Sequence, residues 1–187
     1  MLSRAEVSPK LKDGDVWPGW IPFEPCGLGC YNGGMLKPVR TLRHKADGGA
    51  FALVASQYNA RYVDAMLRAA RAELLRAGAK VQIVRVPGAY EIPVVAKKLA
   101  ATHPQLAAII CLGVILRGET THAAHIGEAV SGALMQIQLA HQIPVIHEVL
   151  LLENEAQARV RCLGAKHNRG TEAAQTALAM RQVMRGI

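Results

Sequence analysis

Hydrophobic and polar positions change rhythm near residue 49. Before it, no helical or strand period lasts more than a few positions; after it, short apolar runs alternate with helical stripes. Ala50–Ser56 (AFALVAS) is a short apolar run of the kind expected for a strand buried on both faces. Val63, Met66, Leu67, Ala70 and Leu74 then follow helical spacing, and Gly78 stands where a helix would stop. Residues 80–86 predict a second strand, broken by Pro87-Gly88, and residues 90–101 a helix with Pro93 tolerated in its first turn. The most hydrophobic stretch, residues 106–115, predicts a central strand. A long helix follows with Ile126, Val130, Ala133, Leu134 and Ile137 on one face, and its Gly127, Ala129, Ser131 and Gly132 would let another backbone approach. Residues 143–151 predict a fourth strand, 153–160 a short helix and 171–184 a final helix. Strands alternating with helices imply βαβ crossovers. The predicted fold class is α/β: a flavodoxin-like three-layer α/β/α sandwich with a four-stranded parallel sheet, formed by a domain over residues 49–187.

Residues 1–48 differ in kind. They hold Pro9, Pro18, Pro22, Pro25 and Pro38, a glycine-rich patch around 27–34, and both tryptophans, which predicts an extended or disordered N-terminal arm. Composition narrows the rest. The 187 residues suit one ordinary domain, and with 51% hydrophobic but only 4% aromatic residues the core must be built from Ala, Val, Ile and Leu. No apolar run reaches the roughly 18 residues of a membrane span, and the start lacks a signal-peptide core, so the cytoplasm is the expected location and no membrane partner is expected. The formal charge of +8 invites a nucleic-acid partner, but the basic residues are scattered without interleaved aromatics. Attraction of an anionic small substrate accounts for the charge as well, and no nucleic acid is expected. Cys26 and Cys30 form a C-x3-C pair without a second pair at zinc spacing, so no metal site is expected there; Cys111 reads as a small core residue.

In a sheet of this class, ligands sit at the carboxyl ends of the strands. That directs attention to residues 57–59, 87–91, 117–122 and the surroundings of His147. Arg117-Gly118-Glu119-Thr120-Thr121-His122 joins a strand end to a helix start, where unpaired N–H groups and partial positive charge suit a phosphate. Gly118 allows close approach, Thr120 and Thr121 add hydroxyls, and His122 would stand ready for proton transfer. The plainer alternative is that a threonine caps the helix and His122 is a surface residue. Tyr58 offers a ring for stacking a planar heterocycle, or it merely packs while Asn59 caps the next helix. Residues 86–93 bring Tyr90 and Glu91 to the same edge.

In combination, VPGAYEIP at 86–93, GVILRGETTH at 113–122 and AKHNRGTEAA at 165–174 resemble the three signature stretches of lumazine synthases, in order and spacing. The resemblance runs from about Gly48 to the carboxyl terminus. It implies condensation of 5-amino-6-(D-ribitylamino)uracil with 3,4-dihydroxy-2-butanone 4-phosphate to 6,7-dimethyl-8-ribityllumazine, phosphate and water, without metal or organic cofactor. By position, it implies that Tyr58 stacks on the pyrimidine with Asn59 beside it. Ala89, Tyr90 and Glu91 would hold the ribityl chain, and Val114 and Leu116 would flank the pyrimidine pocket. Gly118, Glu119, Thr120 and Thr121 correspond to the phosphate loop. His122 corresponds to the proton-transfer histidine, and Glu172 to the acid that orients it. Family active sites lie between subunits of a homo-oligomer built on pentamers, and Arg161 falls where the neighbour supplies a phosphate-binding arginine, a role suited to a guanidinium fork.

The chain departs from the family at several places. His147 stands where many members have a phenylalanine lining the neighbouring site, and Leu151-Leu152 replace a pair often seen as threonines. Ala165 stands where a lysine is common, which puts a phosphate role for Lys166 in question, and Arg169 replaces another lysine. Two alternative functions follow: a non-catalytic lumazine or flavin carrier or sensor, and a shell-forming structural protein. Pentamer, decamer and sixty-subunit capsid, and a riboflavin synthase as companion, all stay open at this stage.

Overall fold

The computed structural model describes residues 49–164 and 167–187. The N-terminal arm with its Cys26–Cys30 pair, and Ala165 with Lys166, lie outside the described residues. In chain order the elements are β1 (Ala50–Ser56), α1 (Ala60–Arg76), β2 (Lys80–Val86), α2 (Ile92–Thr102), β3 (Leu106–Leu116), α3 (His122–His141), β4 (Val145–Leu152), α4 (Glu155–Ala158) and α5 (Arg169–Gly186). A five-residue π-helical turn, Arg159–Leu163, follows α4 directly.

The four strands form one parallel sheet in the order β2-β1-β3-β4, as the βαβ pattern predicts. Alternation within the strands divides the core in two. Phe51, Leu53, Ala108, Ile110, Leu112 and Ile146 face α1, α5 and the π-turn, whereas Ala52, Val54, Ile109, Cys111, Val145 and Val149 face α2 and α3. Cys111 is fully buried, and burial pushes its thiol far up, in keeping with a core residue.

The helix ends follow from local chemistry. Gly78, at φ 76, terminates α1: its N–H reaches the Leu75 carbonyl at 2.9 Å and the Ala79 N–H reaches that of Leu74 at 3.0 Å. This is the paired closure that favours glycine after a helix. α2 starts at Ile92, two residues later than expected, because the Glu91 carboxylate folds back to accept from the Gly88 N–H at 2.8 Å and keeps Tyr90 in the turn. β4 starts at Val145 and not at Ile143. Pro144 has no N–H for the ladder, although its carbonyl accepts from Ile109 at 2.9 Å. The helix expected over 153–160 is shorter and widens at Arg159. Gly170 lets α5 cross α1 at backbone contact, since a Cβ there would lie 2.0 Å from the Met66 carbonyl oxygen.

Candidate functional site

The chain winds one way from β1 to β2 and the other way through β3 and β4, so the topological switch point lies between β1 and β3. A crevice outside the carboxyl ends of those two strands is where such sheets bind ligands. Gln57–Asn59 and Arg117–Thr121 leave the sheet there.

One hydrogen bond joins the two halves of this crevice. Asn59 adopts left-handed backbone (φ 55, ψ 39) at the N-cap position of α1, but its side chain does not cap the helix. The amide Nδ2 instead donates to the Val114 carbonyl at 2.8 Å, fastening the β1 loop to β3. Asn59 thus sits where the helix-capping alternative places it without doing that work. The β1 loop is also pinned to the β2 loop, with Gln57 N–H donating to the Val86 carbonyl at 2.8 Å and Tyr58 N–H to that of Pro87 at 3.1 Å. Tyr58 is 73% exposed, and its ring lies over Gly88, where an added Cβ would stand 3.3 Å from it. A planar ligand therefore finds an open aromatic surface held by backbone on both sides. Tyr90 is likewise exposed, whereas Ala89 is buried against α2, so any contact it makes to a ligand is through its backbone. Val114 is buried in the core under α1 and α5, with Leu116 packed against that same core.

The loop after β3 is open along its length: Arg117, Gly118, Glu119, Thr120, Thr121 and His122 are all exposed. An added Cβ at Gly118 would meet nothing within 4 Å. The Thr121 hydroxyl makes no capping hydrogen bond, and Thr120 Oγ1 accepts only a long 3.4 Å contact from the His122 N–H. The mouth of the loop is framed by Arg117, whose Nη1 meets the two Glu153 carboxylate oxygens at 2.9 and 3.2 Å. Loop backbone, two hydroxyls and an imidazole at a helix start suit an anion and proton transfer beside it.

His147 lies inside β4, as the strand predicted over 143–151 implies, and not in a carboxyl-end loop. It is the third residue of β4, paired in register with Cys111, because the strand begins just after Pro144 and runs on to Leu152. Its imidazole is held on the α3 side. The Val149 N–H donates to Nδ1 at 3.3 Å, which leaves Nε2–H to donate to Ser131 Oγ at 2.8 Å, and Ser131 passes its own proton to the Gly127 carbonyl at 2.7 Å. Burial holds this imidazole below its ordinary pKa, against a backbone hydrogen bond that raises it. His147 is therefore a ring on an edge strand that gives up its proton more readily than a free imidazole.

Arg161 and Glu172 lie on the opposite side of the sheet from α3. Arg161 belongs to the π-turn, a helix irregularity of the kind frequent at functional sites. Asn168 fixes that turn: its Nδ2 donates to the Cys162 carbonyl at 2.6 Å while its Oδ1 caps α5 through the Gly170 N–H at 2.9 Å. Glu172 accepts from Arg169 Nη1 at 2.6 Å. Within one chain, no hydrogen bond or ion pair among the described residues joins Glu172 to His122. The fold thus brings together Tyr58, Asn59, the 87–91 turn and the 117–122 loop, while no hydrogen bond or ion pair among the described residues ties Arg161, Glu172 or His147 to them.

Two groups went unforeseen. Glu148 is an acidic residue inside the apolar strand VIHEVLLL and faces Arg169 from β4; that lone charge in a hydrophobic run is the signal that marks it. The Arg117–Glu153 pair has no such signal, because its partners meet only across adjacent strand ends. No group of three or more His, Cys, Asp or Glu able to hold a metal ion occurs among the described residues.

A family model described as 6,7-dimethyl-8-ribityllumazine synthase matches residues 48–185. A relative of that name from Stenotrophomonas maltophilia is 40% identical over 137 residues, covering 72% of this chain and 88% of its own length. Another so named, from Xanthomonas oryzae, is 39% identical over the same shares of both chains.

Proposed function

The chain belongs to the 6,7-dimethyl-8-ribityllumazine synthase family, and on that premise we infer that its reaction centre is the crevice at the carboxyl ends of β1 and β3. The reaction is the condensation of 5-amino-6-(D-ribitylamino)uracil with 3,4-dihydroxy-2-butanone 4-phosphate, giving 6,7-dimethyl-8-ribityllumazine, phosphate and water. The single observation that carries the placement is the Asn59–Val114 hydrogen bond, which holds the aromatic loop against the strand that leads into the phosphate loop.

In this assignment Tyr58 stacks on the pyrimidine, and Asn59 presents its remaining amide oxygen beside it. Ala89, Tyr90 and Glu91 hold the ribityl chain. Gly118, Glu119, Thr120 and Thr121 take the phosphate, and His122 moves the proton. That no hydrogen bond or ion pair among the described residues ties Arg161, Glu172 or His147 to that crevice supports a centre completed by a neighbouring subunit. Arg161 then meets the neighbour's phosphate, Glu172 orients the neighbour's His122, and His147 lines the neighbour's pocket as a flat ring. A pentameric assembly would satisfy this. The catalytic domain spans residues 49–187, a range that the family match over 48–185 supports. The protein works in the cytoplasm, and no helix among the described residues is long and apolar enough to cross a membrane.

The chemistry asks mainly for positioning. Imine formation, phosphate loss and ring closure proceed once the two reactants are held together, so shared geometry supplies most of the acceleration and one acid–base group adds about 10²–10⁴-fold.

The test is the appearance of lumazine absorbance on mixing purified protein with both substrates, against both substrates alone. A rate above that control, lost when the phosphate ester is omitted, is expected. A rate equal to the control from folded protein that still binds the pyrimidine would replace this function with that of a carrier.

A further inference from the structure

Strand β4 is apolar toward α5 and the π-turn, through Ile146, Leu150 and Leu152, except at Glu148. The Glu148 side chain is only 13% exposed. From α5 it is faced by Arg169 and Glu172, and from the π-turn by Arg161 and Cys162. Its neighbour in register on β3 is the uncharged Leu112, and on α1 the Tyr62 hydroxyl is taken up by Glu155 at 3.1 Å. Burial pushes the Cys162 thiol to about 11, so it adds no charge near neutrality.

The arginine fork is divided between two carboxylates. Arg169 Nη1 donates to Glu172 at 2.6 Å, whereas its Nε stands 3.7 Å from Glu148 Oε2. That separation is within Coulombic reach but too long for a hydrogen bond, and both buried atoms lack a hydrogen-bond partner. A buried carboxylate oxygen without a donor disfavours its own ionisation. Burial accordingly raises Glu148 to about 7, against the pull of Arg169, with Glu172 adding to the rise and Arg161 opposing it.

We propose that Glu148 is a positioning residue for phosphate recognition: ionised, it holds back the charge of Arg161 and Arg169 from an incoming phosphate, and protonated, it releases both. The proposal rests on Arg161 meeting the phosphate, as argued above. It makes Glu148 a residue through which anion binding takes up a proton, because the anion and the ionised carboxylate compete for the same guanidinium charge.

Sulfate is the probe, since its own charge is constant across the window where phosphate titrates. Its dissociation constant is measured by calorimetry at pH 6 and pH 8 on the wild-type protein, Glu148→Gln and Arg161→Ala. If only the protonated form binds, wild-type affinity falls by about tenfold between those values, in proportion to the competent fraction. The comparison with Glu148→Gln isolates Glu148 from every other group. That variant should match wild type at pH 6 and bind up to about tenfold more tightly than wild type at pH 8. Equal affinities at pH 8, with sulfate binding still lost in Arg161→Ala, would overturn the role of Glu148 and leave the phosphate assignment standing. Sulfate binding unchanged in Arg161→Ala would overturn both. Should Glu148→Gln not fold, proton uptake on sulfate binding, read from two buffers of different ionisation enthalpy, decides: equal uptake by wild type and His122→Ala is expected, and uptake reduced or lost in His122→Ala would overturn the proposal.

Discussion

The side-chain amide of Asn59 donates to the main-chain carbonyl of Val114 at 2.8 Å, across 55 residues of sequence. It ties the loop after β1 to the strand that leads into the 117–122 loop. An Asn suits this position twice over, because it tolerates the left-handed backbone at φ 55 and carries the donor.

Substitutions at Asn59 should therefore separate the two contributions. Asn59→Gly keeps the backbone and loses the bond, with an expected cost of about 1 kcal/mol. Asn59→Leu loses both and should cost about 2–4 kcal/mol. Urea unfolding midpoints check the order, and equal midpoints for the two variants would show that backbone conformation contributes nothing.

Gly170 is expected to be intolerant. A methyl group there would lie 2.0 Å from the Met66 carbonyl oxygen, a backbone atom that cannot swing aside. Gly170→Ala should cost about 1–3 kcal/mol through overpacking between α1 and α5. At Gly132 on α3, an added methyl meets nothing in the chain, so Gly132→Ala should hold or raise the thermal midpoint of the isolated chain.

Steady-state kinetics should divide His122 from Arg161. His122→Ala is expected to lower kcat by up to about 10²–10⁴-fold while leaving a rate above the unaided reaction. Arg161→Ala should act on the Michaelis constant for the butanone phosphate, raising it about tenfold or more, as loss of a charged hydrogen bond does. An unchanged Michaelis constant would remove Arg161 from phosphate recognition.

Glu148 should make stability fall as pH rises toward neutrality. Its folded pKa is raised to about 7 from an ordinary 4.5, so the folded state binds the extra proton between those values. The stabilisation is complete below the unfolded pKa and is lost as pH rises through the folded one, by a few kcal/mol at most. Glu148→Gln should flatten that part of a plot of unfolding free energy against pH.

His147 should act in the opposite sense. Its folded pKa lies below the ordinary 6.5, so the unfolded state binds the proton more readily. Its contribution is present above pH 6.5 and is lost as pH falls through the folded pKa. An imidazole NMR titration should have its midpoint below 6.5, with the proton of the neutral ring on Nε2. His147→Phe should remove the acid sensitivity and leave turnover nearly unchanged.

The periodicity of apolar residues was enough to read the α/β architecture from the chain, because strand and helix repeats are local properties of consecutive side chains. β1 and β2 fall where the apolar runs place them, and Gly78 ends α1 as its type predicts. The edge proposed to react can be picked out for the same reason: Tyr58, Glu91 and the 117–122 loop each lie in a segment that follows a strand end. What the sequence alone could not decide were relations between segments. Whether Asn59 caps its helix or reaches Val114 depends on β3 lying beside β1, and the hold of Ser131 on the His147 imidazole needs α3 packed against β4. The meeting of Glu148 with Arg169 needs β4 at the sheet edge under α5, with one guanidinium divided between two carboxylates. Such pairings join residues far apart in the chain, and their energies turn on distance and burial, which exist only once the sheet has assembled.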